Sequence, residues 1–215
     1  MQGTPQIRQI WQVEIRTRNL GQCIAFYRSV FNWPIFPVGD DYAMIDTGIM
    51  PVGSILMTAD PKFPLGVGDF VLVEDCAAAG QQAVALGGRV CVKKWEVPNS
   101  GWFVGTLDPW GNEMWFWEPK VHSVPRLRAG RDNHYCWLEI PVLDLAEGVN
   151  YYSKLLGWRF QGLDQRSDYA FTQDGGLSMG ASVVGGEPGK QMLSVQHGRG
   201  VTNYVTARGL PQLAE

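Results

Sequence analysis

The chain repeats itself, and the repeat restricts its fold more than any other feature. "EIRTRNLGQCIAFYRSVFNWPI" from Glu14 returns as "EIPVLDLAEGVNYYSKLLGWRF" from Glu139, keeping Glu-Ile, Leu20 and Leu145, Tyr27 and Tyr152, and Trp33 and Trp158 in register. Further on, "DYAMIDTG" from Asp41 matches "DYAFTQDG" from Asp168. A weaker match sets "DFVLVEDC" from Asp69 against "NYVTARGL" from Asn203, each an aromatic-led strand followed by a turn and the start of a helix. Such self-similarity marks supersecondary units that bury their apolar faces against one another. The order along the chain is three units and the opening of a fourth.

Each unit has a physical reading. In unit one Val13 and Ile15 alternate with Gln12, Glu14 and Arg16, the period of a strand with one packed and one polar face. Asn19 caps the following helix, in which Leu20, Ile24, Tyr27 and Phe31 recur at three- and four-residue steps until "NWP" stops it. Strands follow at 34–38, 42–47 and 53–58, separated by "GDD" and "DTGIMPVG". Unit two repeats the order: a strand at 70–73, a helix at 76–87 ending at Gly87-Gly88, and strands near 89–93, 101–107 and 113–118. Repeated βαβββ units of this kind, with helices on one face of mixed, mostly antiparallel sheets, make an α+β fold. Residues 1–120 are expected to form a complete two-unit module, 121–132 ("VHSVPRLRAGRD") a linker, and 133–215 a second, incomplete module lacking the counterpart of 82–118. An unpaired third unit would leave sheet edge and apolar surface exposed, which predicts that the chain forms a homodimer, swaps units with a twin, or is a shortened sequence.

Composition narrows the partners. With 215 residues, 45% apolar and 18% charged, the chain can bury a core without staples. Its formal charge is −3, and the nearest thing to a basic run, "RLRAGR", has three arginines, so nucleic acid is not an expected partner. No stretch approaches the ~20 apolar residues of a membrane span. "MQGTPQIRQIW" lacks the apolar core of a signal peptide, so the expected location is cytoplasmic. Cys23, Cys76, Cys91 and Cys136 are widely spaced with no C-x-x-C, which reads as free thiols.

The βαβββ repeat, "AFYRSVFNWPI" after the first strand, "QQAVALGGRV" in unit two and "DPWGNEMWFWEP" at its close resemble the vicinal oxygen chelate superfamily, which includes glyoxalase I, extradiol dioxygenases and the bleomycin- and fosfomycin-resistance proteins. The resemblance covers nearly the whole chain. It implies that two units pair to curl an eight-stranded sheet into a cup holding a ligand or a metal. The same cup serves lyases, oxygenases, transferases and simple binders, so the fold alone does not name a function. The resemblance also implies metal ligands near the start of each unit's first strand and in its last strand. Carried over, those positions fall on Gln12, on Gly68 or Asp69, on Trp115, and in unit three on Trp137. A divalent site needs roughly three N or O donors at one point, and tryptophan supplies none. His122, His134 and His197 share no strand or helix spacing that would replace them; His134 stands out for opening the unit-three strand.

Period two turns Glu113 and Trp117 to the same side as Trp115, while Met114 and Phe116 pack against helices. Gln12, Glu14 and Arg16 join that concavity, Trp102 is expected from the neighbouring strand, and Trp137 and Glu139 are the unit-three counterparts. An aromatic, partly acidic lining suits a flat or cationic organic ligand held by stacking and a few charged contacts. The expected function is therefore a glyoxalase- or bleomycin-resistance-like protein that binds a small organic molecule in a Trp-lined cup without a catalytic metal. Two alternatives stand beside it. One is a glyoxalase I-like lyase or extradiol dioxygenase using zinc, nickel, manganese or iron; the other is an interaction module in which tryptophans simply fill the cup and Glu14 pairs with Arg16.

Overall fold

The computed structural model describes residues 8–120, 133–176, 179–194 and 201–206. The expected linker, His122 and His197 lie outside the described residues. Unit one is β1 (Ile10–Thr17), α1 (Leu20–Phe31), β2 (Ile35–Pro37), β3 (Tyr42–Ile45) and β4 (Val52–Met57). Unit two is β5 (Gly66–Leu72), α2 (Cys76–Ala85), β6 (Arg89–Val97), β7 (Gly101–Leu107) and β8 (Glu113–Pro119). Unit three is β9 (Tyr135–Pro141), α3 (Leu145–Leu156), β10 (Gln161–Leu163), β11 (Arg166–Thr172) and β12 (Gly180–Val184), followed by α4 (Gly186–Ser194) and β13 (Thr202–Val205).

Local chemistry sets the helix ends. Asn19 Oδ1 accepts from the Gln22 N–H at 3.0 Å, and Asn32 closes α1 in the left-handed conformation at φ 52°. Asp75 and Asp144 cap α2 and α3 in the same way, and Gly157 ends α3 at φ 72°. The four cysteines are free thiols.

Two sheets result, of order β2-β3-β4-β1-β5-β8-β7-β6 and β10-β11-β12-β9-β13. In the first, β1 runs parallel to β4 and antiparallel to β5, and β5 runs parallel to β8, so units one and two meet about the β1–β5 pair. The second sheet repeats this: β9 is parallel to β12 and antiparallel to β13. Asp69 lies opposite Val13, and Asn203 lies opposite Leu138, the repeat mate of Val13. Even the bulge recurs, between Ile10 and Gln12 in one pair and between Tyr204 and Val205 in the other. The fourth unit thus opens where the repeat places it. β5 starts four residues earlier than its composition suggests, because "GVGD", which reads as a turn, pairs along β1. A Cβ at Gly68 would lie 2.1 Å from Arg16 Nη2, so glycine is needed there for close approach.

One apolar core joins the sheets. Val13, Ile15, Val71 and Phe116 from the first sheet and Leu138, Ile140 and Val183 from the second belong to a continuous cluster with Leu20, Ile24, Ala83 and Leu155 of the helices. The turn "DPWGN" clamps the sheets to each other. Asp108 Oδ2 accepts from Tyr152 Oη and from Asn112 Nδ2, each at 2.7 Å, and the same Asn112 amide donates to the Pro141 carbonyl at 2.7 Å. Trp158 Nε1 donates to the Arg8 carbonyl at 2.9 Å, and the Ile10 N–H to the Gly175 carbonyl at 2.7 Å.

A second clamp is charged. Asn203 Nδ2 donates to Asp69 Oδ2 at 3.2 Å, joining the two repeat-related strands β5 and β13. Asp69 Oδ1, Asn203 Oδ1 and Tyr135 Oη are buried with no hydrogen-bond partner among the described residues. Burial pushes the Asp69 carboxyl up to about 7, against the opposing pull of Asn203 and Arg16. A raised folded-state value means that this carboxyl's contribution is complete below about pH 3.8, declines as pH rises, and is gone above about 7. Asn at position 69 supplies a donor to Asn203 Oδ1 at every pH. Asp69→Asn is expected to be more stable than the natural protein at pH 8 by about 1–2 kcal/mol, with the gap closing at pH 5, in urea denaturation at the two pH values.

Candidate functional site

The concave face of the first sheet is assembled from alternate residues. β1 contributes Gln12, Glu14 and Arg16; β8 contributes Glu113, Trp115 and Trp117; Phe70 of β5 and Gly105 of β7 flank Trp115 in register. A Cβ at Gly105 would lie 2.5 Å from Trp115 Cζ3, so the indole lies flat on the backbone of β7. At the centre is a buried ion triad. Arg16 Nε donates to Glu14 Oε1 at 3.1 Å and Nη1 donates to Glu113 Oε2 at 2.7 Å, while the guanidinium carbon stands 4.6 Å from the Trp115 ring centre. Trp115 Nε1 also donates to Glu113 Oε2, at 3.3 Å. Burial holds the Glu14 carboxyl above its ordinary range despite the attraction of Arg16.

This face is closed. Phe63, from the crossover between β4 and β5, and Phe70 both stack on Trp115 with ring centres 5.6 Å away, and Phe103 meets it edge-on at 5.7 Å. Trp115 is 0% exposed, so no ligand reaches its ring. Trp117 sits part-exposed at the rim. Gln12 Nε2 donates to Tyr42 Oη at 2.8 Å and to Ser54 Oγ at 2.7 Å.

Two expected positions face the other way. Trp102 pairs with Glu118 of β8 and lies 5.1 Å from Lys94 Nζ and 4.9 Å from Lys120 Nζ; its strand turns Phe103 into the cup instead. The error was one residue of strand phase, which reverses the face. Asp69 shares its face with Val13, so Gly68 is the cup-facing residue of β5 and carries no donor.

The second sheet, of five strands among the described residues, repeats the unit-one part of this scaffold and the opening of unit two with different occupants. Trp137, the repeat mate of Gln12, donates from Nε1 to Ser182 Oγ at 3.1 Å, as Gln12 does to Ser54. Its indole lies on Gly180, where a Cβ would come within 2.2 Å. Glu139, the mate of Glu14, accepts from Tyr204 Oη at 2.6 Å and from Tyr169 Oη at 3.4 Å. Phe171 stands 6.5 Å from Trp137. The mate of Arg16 is Pro141, so this face has no guanidinium at the matching position. Trp137, Glu139, Tyr169 and Phe171 are part-exposed and Tyr204 is 44% exposed, in contrast to the sealed first face. His134 exchanges a 3.1 Å hydrogen bond with Thr206 through Nδ1, fastening β9 to the end of β13. An open groove of about 580 Å³ lies on the helix side of this sheet, lined by Leu145, Val149, Phe160 and Ala170, away from Glu139.

Phe63, Tyr42, Tyr169 and Tyr204 were not singled out as site residues in the sequence. The two "DYA" segments pointed to Tyr42 and Tyr169, and the weak fourth repeat to Tyr204; Phe63 lies in a proline-flanked crossover with no repeat signal.

This architecture, paired βαβββ units around a concave mixed sheet, is the vicinal oxygen chelate fold. Among solved structures, the chain resembles an extradiol ring-cleaving dioxygenase from B. fuscum at TM-score 0.60 and 19% identity, covering 85% of this chain and 55% of that one. It resembles the Mn(II)-bound glyoxalase from Novosphingobium aromaticivorans at TM-score 0.60 and 12% identity (85% and 63% covered), and homoprotocatechuate 2,3-dioxygenase from Brevibacterium fuscum in complex with 3,4-dihydroxyphenylacetate at TM-score 0.59 and 18% identity (85% and 61%). The chain spans 55–63% of the length of these three structures. At such identities it is the fold that is shared. No family model and no curated protein matches the sequence.

A divalent metal of the kind held by that glyoxalase does not fit the first concave face. Both inward carboxylates are bonded to Arg16, Gln12 is bonded to Tyr42 and Ser54, and Gly68 and Trp115 offer no donor. On the second face Glu139 is the one carboxylate of the cup-facing set, and no group of three His, Cys, Asp or Glu converges anywhere among the described residues. Among those residues, no helix is long and apolar enough to cross a membrane.

Removing the guanidinium would leave Glu14 and Glu113 buried without their counter-charge. Arg16→Met is expected to lose about 3–5 kcal/mol of stability at pH 8 in chemical denaturation, and less at pH 5, where the already raised Glu14 takes up a proton.

Proposed function

We propose that the protein binds a small organic molecule on the concave face of the second sheet, around Trp137 and Glu139, and that the first sheet is the rigid support. The observation that carries this reading is the contrast between repeat mates. Glu14 is sealed under Arg16, Trp115 and Phe63, whereas Glu139 and Trp137 remain part-exposed on a five-stranded sheet that, among the described residues, has no counterpart of β6, β7 and β8. Aromatic walls with one or two convergent polar groups are what small-molecule sites require. The role that the sequence analysis gave to Trp115 and Trp117 thus passes to Trp137, with Phe171 and Tyr204 beside it.

Neither face presents a donor set that fits a divalent metal among the described residues. The lyase or dioxygenase alternative rests on the shared fold. Elemental analysis after dialysis against zinc, nickel, manganese and ferrous iron separates the two readings: a stoichiometric ion whose retention depends on Glu139 would favour the enzyme.

The homodimer is part of the same proposal. β13 is an edge strand among the described residues, where its counterpart β5 is covered by β8, and a second copy would satisfy that edge. Sedimentation velocity is expected to show a dimer at micromolar concentration, and a compact monomer would remove it. For the site itself, aromatic and cationic compounds are expected to quench tryptophan fluorescence saturably, with Trp137→Ala abolishing the effect and Trp102→Ala leaving it intact. Quenching that survives Trp137→Ala would place the ligand elsewhere.

A further inference from the structure

We infer that Asp69 and Asn203 form a proton-dependent latch between the two sheets: a neutral Asp69 bonds the Asn203 amide along both edges, and ionisation undoes one of them. Both residues lie on the helix faces of their strands, away from the concave faces, and the latch does not depend on the binding site proposed above. They are repeat mates, and they meet where units one and three exchange equivalent contacts. Trp158 Nε1 donates to the Arg8 carbonyl, and its mate Trp33 donates to the carbonyl of Asn133, the mate of Arg8. Arg8 and Asn133 both take the left-handed conformation, at φ 78° and 64°. A residue that bonds its own mate lies at the centre of such an exchange, so this one pair ties both halves together.

One edge of the pair is already made. Asn203 Nδ2 donates to Asp69 Oδ2 at 3.2 Å, which leaves Asp69 Oδ1 and Asn203 Oδ1 buried with no hydrogen-bond partner among the described residues. An amide oxygen only accepts, and so does an ionised carboxylate oxygen. A proton taken from solvent onto Asp69 Oδ1 turns the carboxylate into a neutral acid. Its O–H then donates to Asn203 Oδ1 while Asn203 Nδ2 continues to donate to Oδ2. Loss of that proton returns a buried charge held by one hydrogen bond, which is costly in a water-excluded seam. The surrounding groups do not replace the proton. Arg16 of β1 attracts an ionised Asp69 but is bonded to Glu14 and Glu113, and Glu113 of β8 opposes that attraction. Tyr135 of β9 faces Asp69 with Tyr27 and Cys23 of α1 behind it, and none of the three brings a positive charge. Tyr204, next to Asn203, donates to Glu139 at 2.6 Å, so the latch also steadies the strand that walls the second face.

Magnetic resonance on the whole chain tests the latch, with the Asp69 carboxyl followed by its ¹³C resonance and the Asn203 amide by its ¹⁵N and proton resonances, from about pH 5 to about pH 9. The carboxyl is expected to titrate near pH 7, with the Asn203 resonances moving at the same midpoint. Corrected for its intrinsic pH dependence, amide exchange in β13 (Thr202–Val205) is expected to speed up about tenfold between about pH 6 and about pH 8. Asp69→Asn, in which two amides bond along both edges at every pH, is expected to remove that acceleration; should it fail to fold, the two titrations decide alone. An Asp69 carboxyl that titrates in the ordinary range near about 4 overturns the latch, because the charge is then stable where it sits. A carboxyl that titrates near neutrality while the Asn203 amide stays still overturns it too, since the proton then has another partner. So does β13 exchange that accelerates equally in Asp69→Asn.

Discussion

A single guanidinium organises the first sheet. Arg16 is 4% exposed and projects from the strand at the junction of units one and two, so its charge must be met inside the fold. Glu14 meets it from the same strand and Glu113 from β8, which ties the central strand to the far unit across β5. Gly68 is required beneath the guanidinium because a Cβ would collide with it. Trp115 then covers it, and Phe63 and Phe70 stack on Trp115. Desolvating three charges costs several kcal/mol per ion unless each has a partner, so these positions are mutually dependent. The same packing shuts the cup.

Repetition supplies the frame for reading the rest. Hydrogen bonds recur across the two sheets with changed chemistry, as in Gln12 to Ser54 and Trp137 to Ser182. Strand register, the edge bulge and the glycine under the indole recur as well. What differs is which side chains occupy the hollow. One sheet spends its concavity on an internal ion pair and stacked rings, and the other leaves a carboxylate and an indole accessible. In the tryptophan-rich strand that closes unit two, Trp115 is packed inside, and the turn before it, through Asp108 and Asn112, locks the second sheet onto the first.

Much of the fold was legible in the sequence. Helix α1 was readable to the residue because Asn19 and Asn32 bracket a clear three- and four-residue apolar period. The inward set Gln12, Glu14, Arg16, Glu113, Trp115 and Trp117 followed from period two, as did Trp137 and Glu139 from the repeat. Trp102 failed because β7 is buried on both faces over most of its length, so alternation gives no phase, and a shift of one residue reverses the side. The start of β5 was hidden by glycines whose purpose lies in a neighbouring strand. Helix α4 had no counterpart in the earlier units to reveal it.

By itself the sequence determined the units, their order, the α+β class and which side chains of β1, β8 and β9 turn to the concave faces, because these depend on periodicity and on repetition along the chain. Which concavity is open was decided only in the tertiary structure. Phe63 closes the first face from a crossover with no periodic signal, and Arg16 finds Glu113 at a separation of 97 residues. Such contacts depend on how strands align side by side in the sheet, and the spacing of residues along one strand carries no record of what the next strand places beside them.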